Sequence, residues 1–264
     1  MDRYNVKVSA DTKLTSNWSS GFTANYITTS IDKAVTSGNG LLRTVYAAPP
    51  SYDLAGIPSH VDGNPYTQNS FRGSFDNAYW AMENNKFTED TNRFFGNVYT
   101  SYQTDFGTTN HKLNAKYMVG VDAYTTHYVD SYGYGSNTGG GRGQIENYGW
   151  TNATYNSLLT INYDWHINED WGLNAVVGNE IIQSNRKKYY EYGTNYNFPG
   201  WNHINNATTQ QTEEETWKNR TVGFFGNVSA SYRNMLYLTL TGRQDYVSNM
   251  PRKNRSFCLL YTSP

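Results

Sequence analysis

The 264 residues include a single cysteine, Cys258, which excludes an internal disulfide and a cysteine-built zinc site. An excess of either charge is lacking too. The 21 Lys and Arg against 22 Asp and Glu leave a formal net charge of −1, so there is no basic footprint for nucleic acid. No run of about 18 apolar residues occurs, which excludes a membrane-spanning helix. A membrane barrel stays open, because its strands carry an apolar residue only at every second position. Hydrophobic residues make up 37%, low for ordinary globular packing. The histidines (His60, His111, His127, His166, His203) lack metal-ligand spacing, and no nucleophile elbow or Ser/His/Asp order occurs. The reading is therefore not an enzyme, with no cofactor and no metal. Met1-Asp2-Arg3-Tyr4 leads straight into a strand pattern, with no secretory leader.

Aromatic residues are abundant at 16%, with 24 Tyr, and Gly, Asn, Thr and Ser are common. This composition favours strands and turns over helices. The clearest pattern runs from Val222 to Asp245. Val222, Phe224, Gly226, Val228, Ala230 and Tyr232 share one parity, and Leu236, Leu238 and Leu240 continue it after a link too short for anything but a hairpin. The other parity is small and hydroxylic, with Arg243. The apolar face meets either a second sheet, in a soluble sandwich, or lipid, in an outer-membrane barrel with a wet lumen.

The same alternation marks Tyr4 to Ala10, Trp18 to Tyr26, Arg93 to Tyr102, Leu113 to Ala123, Tyr155 to Trp165 and Trp171 to Ile181. Phe94 to Tyr102 and Phe224 to Tyr232 both read Phe-Phe-Gly-Asn-Val-x-x-Ser-Tyr, which implies the same surroundings at two distant places. Long polar connections are expected over about Ser30 to Thr91, Tyr128 to Asn147 and Asn185 to Lys218. Leu41 to Ala47 has the makings of one or two helical turns before Pro49-Pro50. Short and long connections thus alternate, and Trp18, Tyr102, Trp165, Trp171 and Tyr232 cluster beside the short turns. Both features belong to an outer-membrane barrel with an interfacial girdle. The fold class read from them is all-β, an antiparallel up-and-down transmembrane β-barrel segment of about eight strands.

Arg3 to Asp32, Leu41 to Gly56, Arg93 to Tyr102 and above all Thr221 to Phe257 resemble the SusC/RagA-type TonB-dependent outer-membrane transporters of Bacteroidetes. The resemblance implies a plugged barrel of about 22 strands, of which this chain would be an internal part. Residues 1–257 read as barrel and 258–264 as a tail without strand alternation, the mark of a truncated or misread frame. Also implied are a place in the outer membrane, contact with its lipid, a SusD-like surface lipoprotein as partner, and energy from TonB through a segment missing from this chain. The cargo would be oligosaccharide or peptide fragments. The competing readings are a complete eight-stranded adhesin or pore and a secreted carbohydrate-binding β domain.

Loop aromatics suited to stacking on ligand are Tyr132, Tyr134, Trp150, Trp201 and Trp217. Asn114, Lys116, Asp122, Asn162, Asp164, Arg243 and Asp245 are expected to line the lumen. Asp62-Gly63-Asn64 and Glu213-Glu214-Glu215 lack the spacing of a calcium loop. Gly139 to Gly143 sits in a loop with no following helix, so it is not a phosphate cradle.

Overall fold

A computed structural model describes residues 1–34, 40–106, 110–233 and 235–263. Its strands are β1 (Asp2–Lys13), β2 (Trp18–Asp32), β3 (His60–Val61), β4 (Asn64–Gln68), β5 (Lys86–Phe106), β6 (His111–Tyr132), β7 (Gln144–His166), β8 (Trp171–Tyr196), β9 (Ala207–Tyr232), β10 (Leu236–Val247) and β11 (Ser256–Ser263). Two short helices, α1 (Leu41–Ala47) and α2 (Ala78–Asn84), lie between β2 and β5. Nine strands form one antiparallel sheet in the order β1-β2-β5-β6-β7-β8-β9-β10-β11, an up-and-down meander interrupted only by the separate β3–β4 hairpin.

Residues opposite one another in an antiparallel ladder share a face. The register therefore runs one apolar row across Phe22, Val98 and Val119 and another across Ile181, Val222 and Tyr246. These side chains are not covered. Val98 is 59% exposed, Val177 55%, Leu236 66% and Leu238 63%. Among the described residues nothing forms a second layer over Leu236, Leu238 and Leu240, which removes the soluble sandwich. Trp18 against Tyr102 and Trp171 against Tyr232 mark the lower limit of this band, their ring centroids 5.0 and 4.7 Å apart. Above Tyr155 and Ile181 the same face turns polar, with Gln183, Asn185 and Lys187 in succession.

The short turns sit at the girdle end. Asn168 accepts the backbone N–H groups of Asp170 and Trp171, which closes the β7–β8 turn, and Arg233 ties the neighbouring turn to it by donating from Nε to Asp170 at 2.8 Å. The buried side chains gather at the opposite end. Phe75, Ala78, Trp80 and Ala81 make the core of the cap between β2 and β5, and Ile145, Tyr196 and Ala207 make a second small core. Asn77 caps α2 by accepting from the N–H groups of Tyr79 and Trp80.

Three expectations are corrected. The segments expected as long loops around Tyr128 to Asn147 and Asn185 to Lys218 are largely strand: β6 reaches Tyr132, β7 starts at Gln144, β8 reaches Tyr196 and β9 starts at Ala207. Beyond the apolar band both faces are wet, so alternation disappears from the sequence while backbone pairing continues. The stretch before Arg93 holds α2 and the β3–β4 hairpin, and β5 already starts at Lys86. The third correction is the tail: Ser256–Ser263 pairs with β10 as a ninth strand, because ladder hydrogen bonds need no particular side chains. The outer edges of β1 and β11 carry no partner among the described residues.

Candidate functional site

The face opposite the apolar band carries the polar side chains, and the register places all seven expected lining residues on it. Asn114 lies opposite Asn162, and Lys116 belongs to the row that continues through Thr160, Gly178 and Phe225 to Arg243. Most are tied to neighbours. Arg93 donates from Nε to Asp122 at 2.8 Å. Asn162 donates to Asp164, and Asn174 donates to Asn162, at 2.8 and 2.7 Å. Arg243 bridges Asp245 and Glu180, donating to them at 2.9 and 2.8 Å. Lys116 places its ammonium 4.5 Å from the Tyr99 ring centroid. Gly223 makes room for the Arg243 cluster, since a Cβ there would come within 2.6 Å of Asp245 and 2.7 Å of Arg243.

Farther along the same face, above the apolar band, a ring system crosses three strands. Tyr128 of β6 stacks on Tyr148 of β7 at 4.8 Å and 6°, and Tyr190 of β8 follows at 6.5 Å. Trp150 stands edge-on to Tyr128 and Tyr148 at 5.7 and 6.2 Å. Lys33 caps the stack, its Nζ 4.5 Å from the Tyr128 centroid and 3.6 Å from Glu89. The tyrosine hydroxyls meet carboxylates: Tyr148 donates to Asp130 at 3.0 Å, and Tyr190 pairs with Glu146. Burial, then the Asp130 hydrogen bond, pushes the Tyr148 hydroxyl far above its ordinary value. Burial, with Asp130 adding to it, raises the Glu146 carboxyl, and its hydrogen bond to Tyr190 opposes the shift.

The five expected aromatics divide. Trp150 and Trp217 come together on strands, not loops, with Arg186 between them: its guanidinium carbon lies 5.4 Å from the Trp150 centroid and 5.6 Å from that of Trp217. Tyr132 ends β6 and packs edge-on against Phe87 at 5.2 Å. Tyr134 packs on the Ile145 and Tyr196 core. Trp201 lies apart, in the β8–β9 connection, stacked with Phe198 and His203 at 5.8 and 4.9 Å. That connection is held by Asn206, which donates to the carbonyls of Phe198 and Trp201 at 2.8 Å each. Tyr128, Tyr148, Tyr190 and Arg186 were not singled out from the sequence. Their even numbers on β6, β7 and β8 continue the parity of the polar wall, and that was the available signal.

The remaining sequence candidates do not converge. Glu213 and Glu215 face the polar side while Glu214 pairs with Lys187 on the other at 2.8 Å. Asp62-Gly63-Asn64 makes the β3–β4 turn, with Gly63 at φ 74°. Gly143 has φ 78°, and a Cβ on it would enter the Tyr196 ring at 2.4 Å.

An antiparallel up-and-down sheet with an uncovered apolar band on one face, a girdle at its lower rim and a polar opposite face is a segment of transmembrane β-barrel wall. Solved structures share this fold. The RagAB peptide transporter matches with a TM-score of 0.74 at 13% identity. The RagAB peptide importer, in its "open-open" and "closed-closed" states, matches with a TM-score of 0.76 at 14% identity. Each match covers 98% of this chain and 29% of the other, so the chain spans under a third of the length of those it matches. No protein-family model and no curated protein matches.

Proposed function

We propose that this chain is a wall section of an outer-membrane TonB-dependent transporter that imports oligosaccharide or peptide fragments with a SusD-like surface lipoprotein. The observation that carries this reading is the division of the sheet: apolar side chains left uncovered on one face over every strand of the band, and a hydrogen-bonded polar wall behind them. Likeness of fold to a peptide importer supports the direction of the reading, and the resemblance of Thr221 to Phe257 supports the family.

In this role the protein does no covalent chemistry. The nine strands of the large sheet supply part of a closed wall whose unpaired outer edges are completed by further strands. The aromatic array above the band offers flat ring faces and carboxylate acceptors to cargo arriving from outside. The cap between β2 and β5 and the β8–β9 connection then lie on the outer surface, where a lipoprotein would dock.

The test is fractionation followed by uptake. The gene product should stay with detergent-extractable outer membrane after a high-salt wash. Cells lacking it should lose energy-dependent uptake of labelled oligomers. Recovery as a detergent-free soluble monomer would end the proposal.

A further inference from the structure

Among the described residues, Arg186 and Lys116 are cations of the polar wall with a ring neighbour and no acceptor, and Arg186 is the one held between two rings. Arg93 is bound to Asp122, Arg243 to Asp245 and Glu180, and Lys33 to Glu89. Arg186 touches the rings of Trp150 and Trp217 and, among the described residues, makes no hydrogen bond and no ion pair. A ring offers a guanidinium its π face but no lone pairs in the geometry of the five N–H fork. The side chain is therefore held in place with its donors unspent. Lys188 sits one row further up, opposite Trp150 in the ladder, and also forms no ion pair among the described residues.

The space in front of Arg186 is a groove of about 660 Å³. Tyr124, Asn152, Thr154, Ser184, Trp217 and Lys218 line it, and among the described residues no carboxylate does. A hydrogen-bonding groove that holds an unpaired guanidinium and a second cation, Lys218, is complementary to a planar oxyanion.

We propose that Arg186, clamped by Trp150 and Trp217, is a carboxylate-reading site, so that the wall selects oligomers carrying a free carboxylate. The inference rests on the reading that this face lines the solute path. Two sources share that chemistry: the C-terminus of a peptide and the uronate of an acidic glycan. Trp150 and Trp217 add stacking area beside the charge, and the Asn, Thr and Ser side chains serve the polar remainder of either oligomer.

The experiment uses the protein as its own gene encodes it, extracted from outer membrane in detergent, with binding read by tryptophan fluorescence. The probes are a short neutral peptide as free acid and as amide, and an oligogalacturonate as free acid and as methyl ester. In at least one pair the free acid should bind about tenfold or more tightly than its neutral partner, the size of a charge-assisted bidentate contact. Arg186→Gln should erase that preference, and extraction from the outer membrane with heat-modifiable gel migration unchanged from wild type shows that the variant is folded. Arg186→Lys should restore part of it. The pair that shows the preference identifies the source. A preference that survives Arg186→Gln, or equal binding of acid and neutral forms by wild type in both pairs, overturns the proposal. Failure of the import reading looks different: oligomer uptake by intact cells would persist without the protein while the acid preference in detergent remained.

Discussion

Val176 and Val177 are adjacent, have the same side chain, and face opposite ways. Val177 lies in the apolar row with Ile161 and Gly226 and is 55% exposed. Val176 points to the polar wall between Asn162 and Asn227. Val177 is six residues above the girdle residue Trp171, about 20 Å along the strand at roughly 3.3 Å per residue. With a strand tilt of about 40° this becomes about 15 Å along the membrane normal, near the middle of an apolar band about 25 Å tall. A lysine at that depth on the lipid face costs about 2–4 kcal/mol, equivalent to about 30-fold to nearly 1000-fold in the folded-to-unfolded ratio. The same lysine at Val176 enters a wet wall between two amides and should cost within about 0.5 kcal/mol. Guanidinium unfolding of the protein in liposomes, followed by tryptophan fluorescence, measures both. Equal costs for Val177→Lys and Val176→Lys, or a larger cost at Val176, would refute the assignment of faces.

Two other predictions address the region above the band. Tyr148 has a raised folded-state value, so the folded protein resists losing its proton while the unfolded chain ionises at the ordinary value of 10.0. Its contribution is therefore complete below pH 10 and is lost as pH rises through the higher folded value. Asp130→Asn, which removes the charge that accepts its hydroxyl, should shift Tyr148 ionisation to lower pH in an ultraviolet absorbance titration; an unchanged curve would contradict the Tyr148–Asp130 hydrogen bond. Asn206→Ala removes the side-chain donor that serves the carbonyls of Phe198 and Trp201. It should loosen the β8–β9 connection by about 1–3 kcal/mol and increase protease cleavage near Trp201, with the rest of the chain as resistant as before.

Strand identity was legible where the two sides of a strand meet different media. From Leu113 to Ala123 or Trp171 to Ile181, lipid on one side and water on the other write a period of two into the residues. Above Ile181 both sides are wet, so Asn185 to Tyr192 reads as loop although it is paired throughout. The same blindness hid the ring system, because Tyr148 and Tyr190 fall in stretches with no apolar partner parity to mark them. The strand in the tail escaped notice for a related reason: Ser256–Ser263 gains strand structure from the β10 backbone, which side-chain pattern does not report.

The lining residues show the deeper limit. Parity alone puts Arg93, Lys116, Arg186 and Arg243 on one wall, and one-dimensional reading treats them alike. What separates them is which acceptor the neighbouring strand brings opposite, a fact of register across chain separations of 29 residues for Arg93 with Asp122 and 63 for Arg243 with Glu180. Those two cations are neutralised where the register supplies a carboxylate and serve to stiffen the wall. Arg186 meets Trp150 and Trp217 instead, and rings position a guanidinium without neutralising it. On the proposed reading, a wall that passes cargo uses both kinds of cation: those already satisfied, which keep its shape, and Arg186, left for the solute to complete.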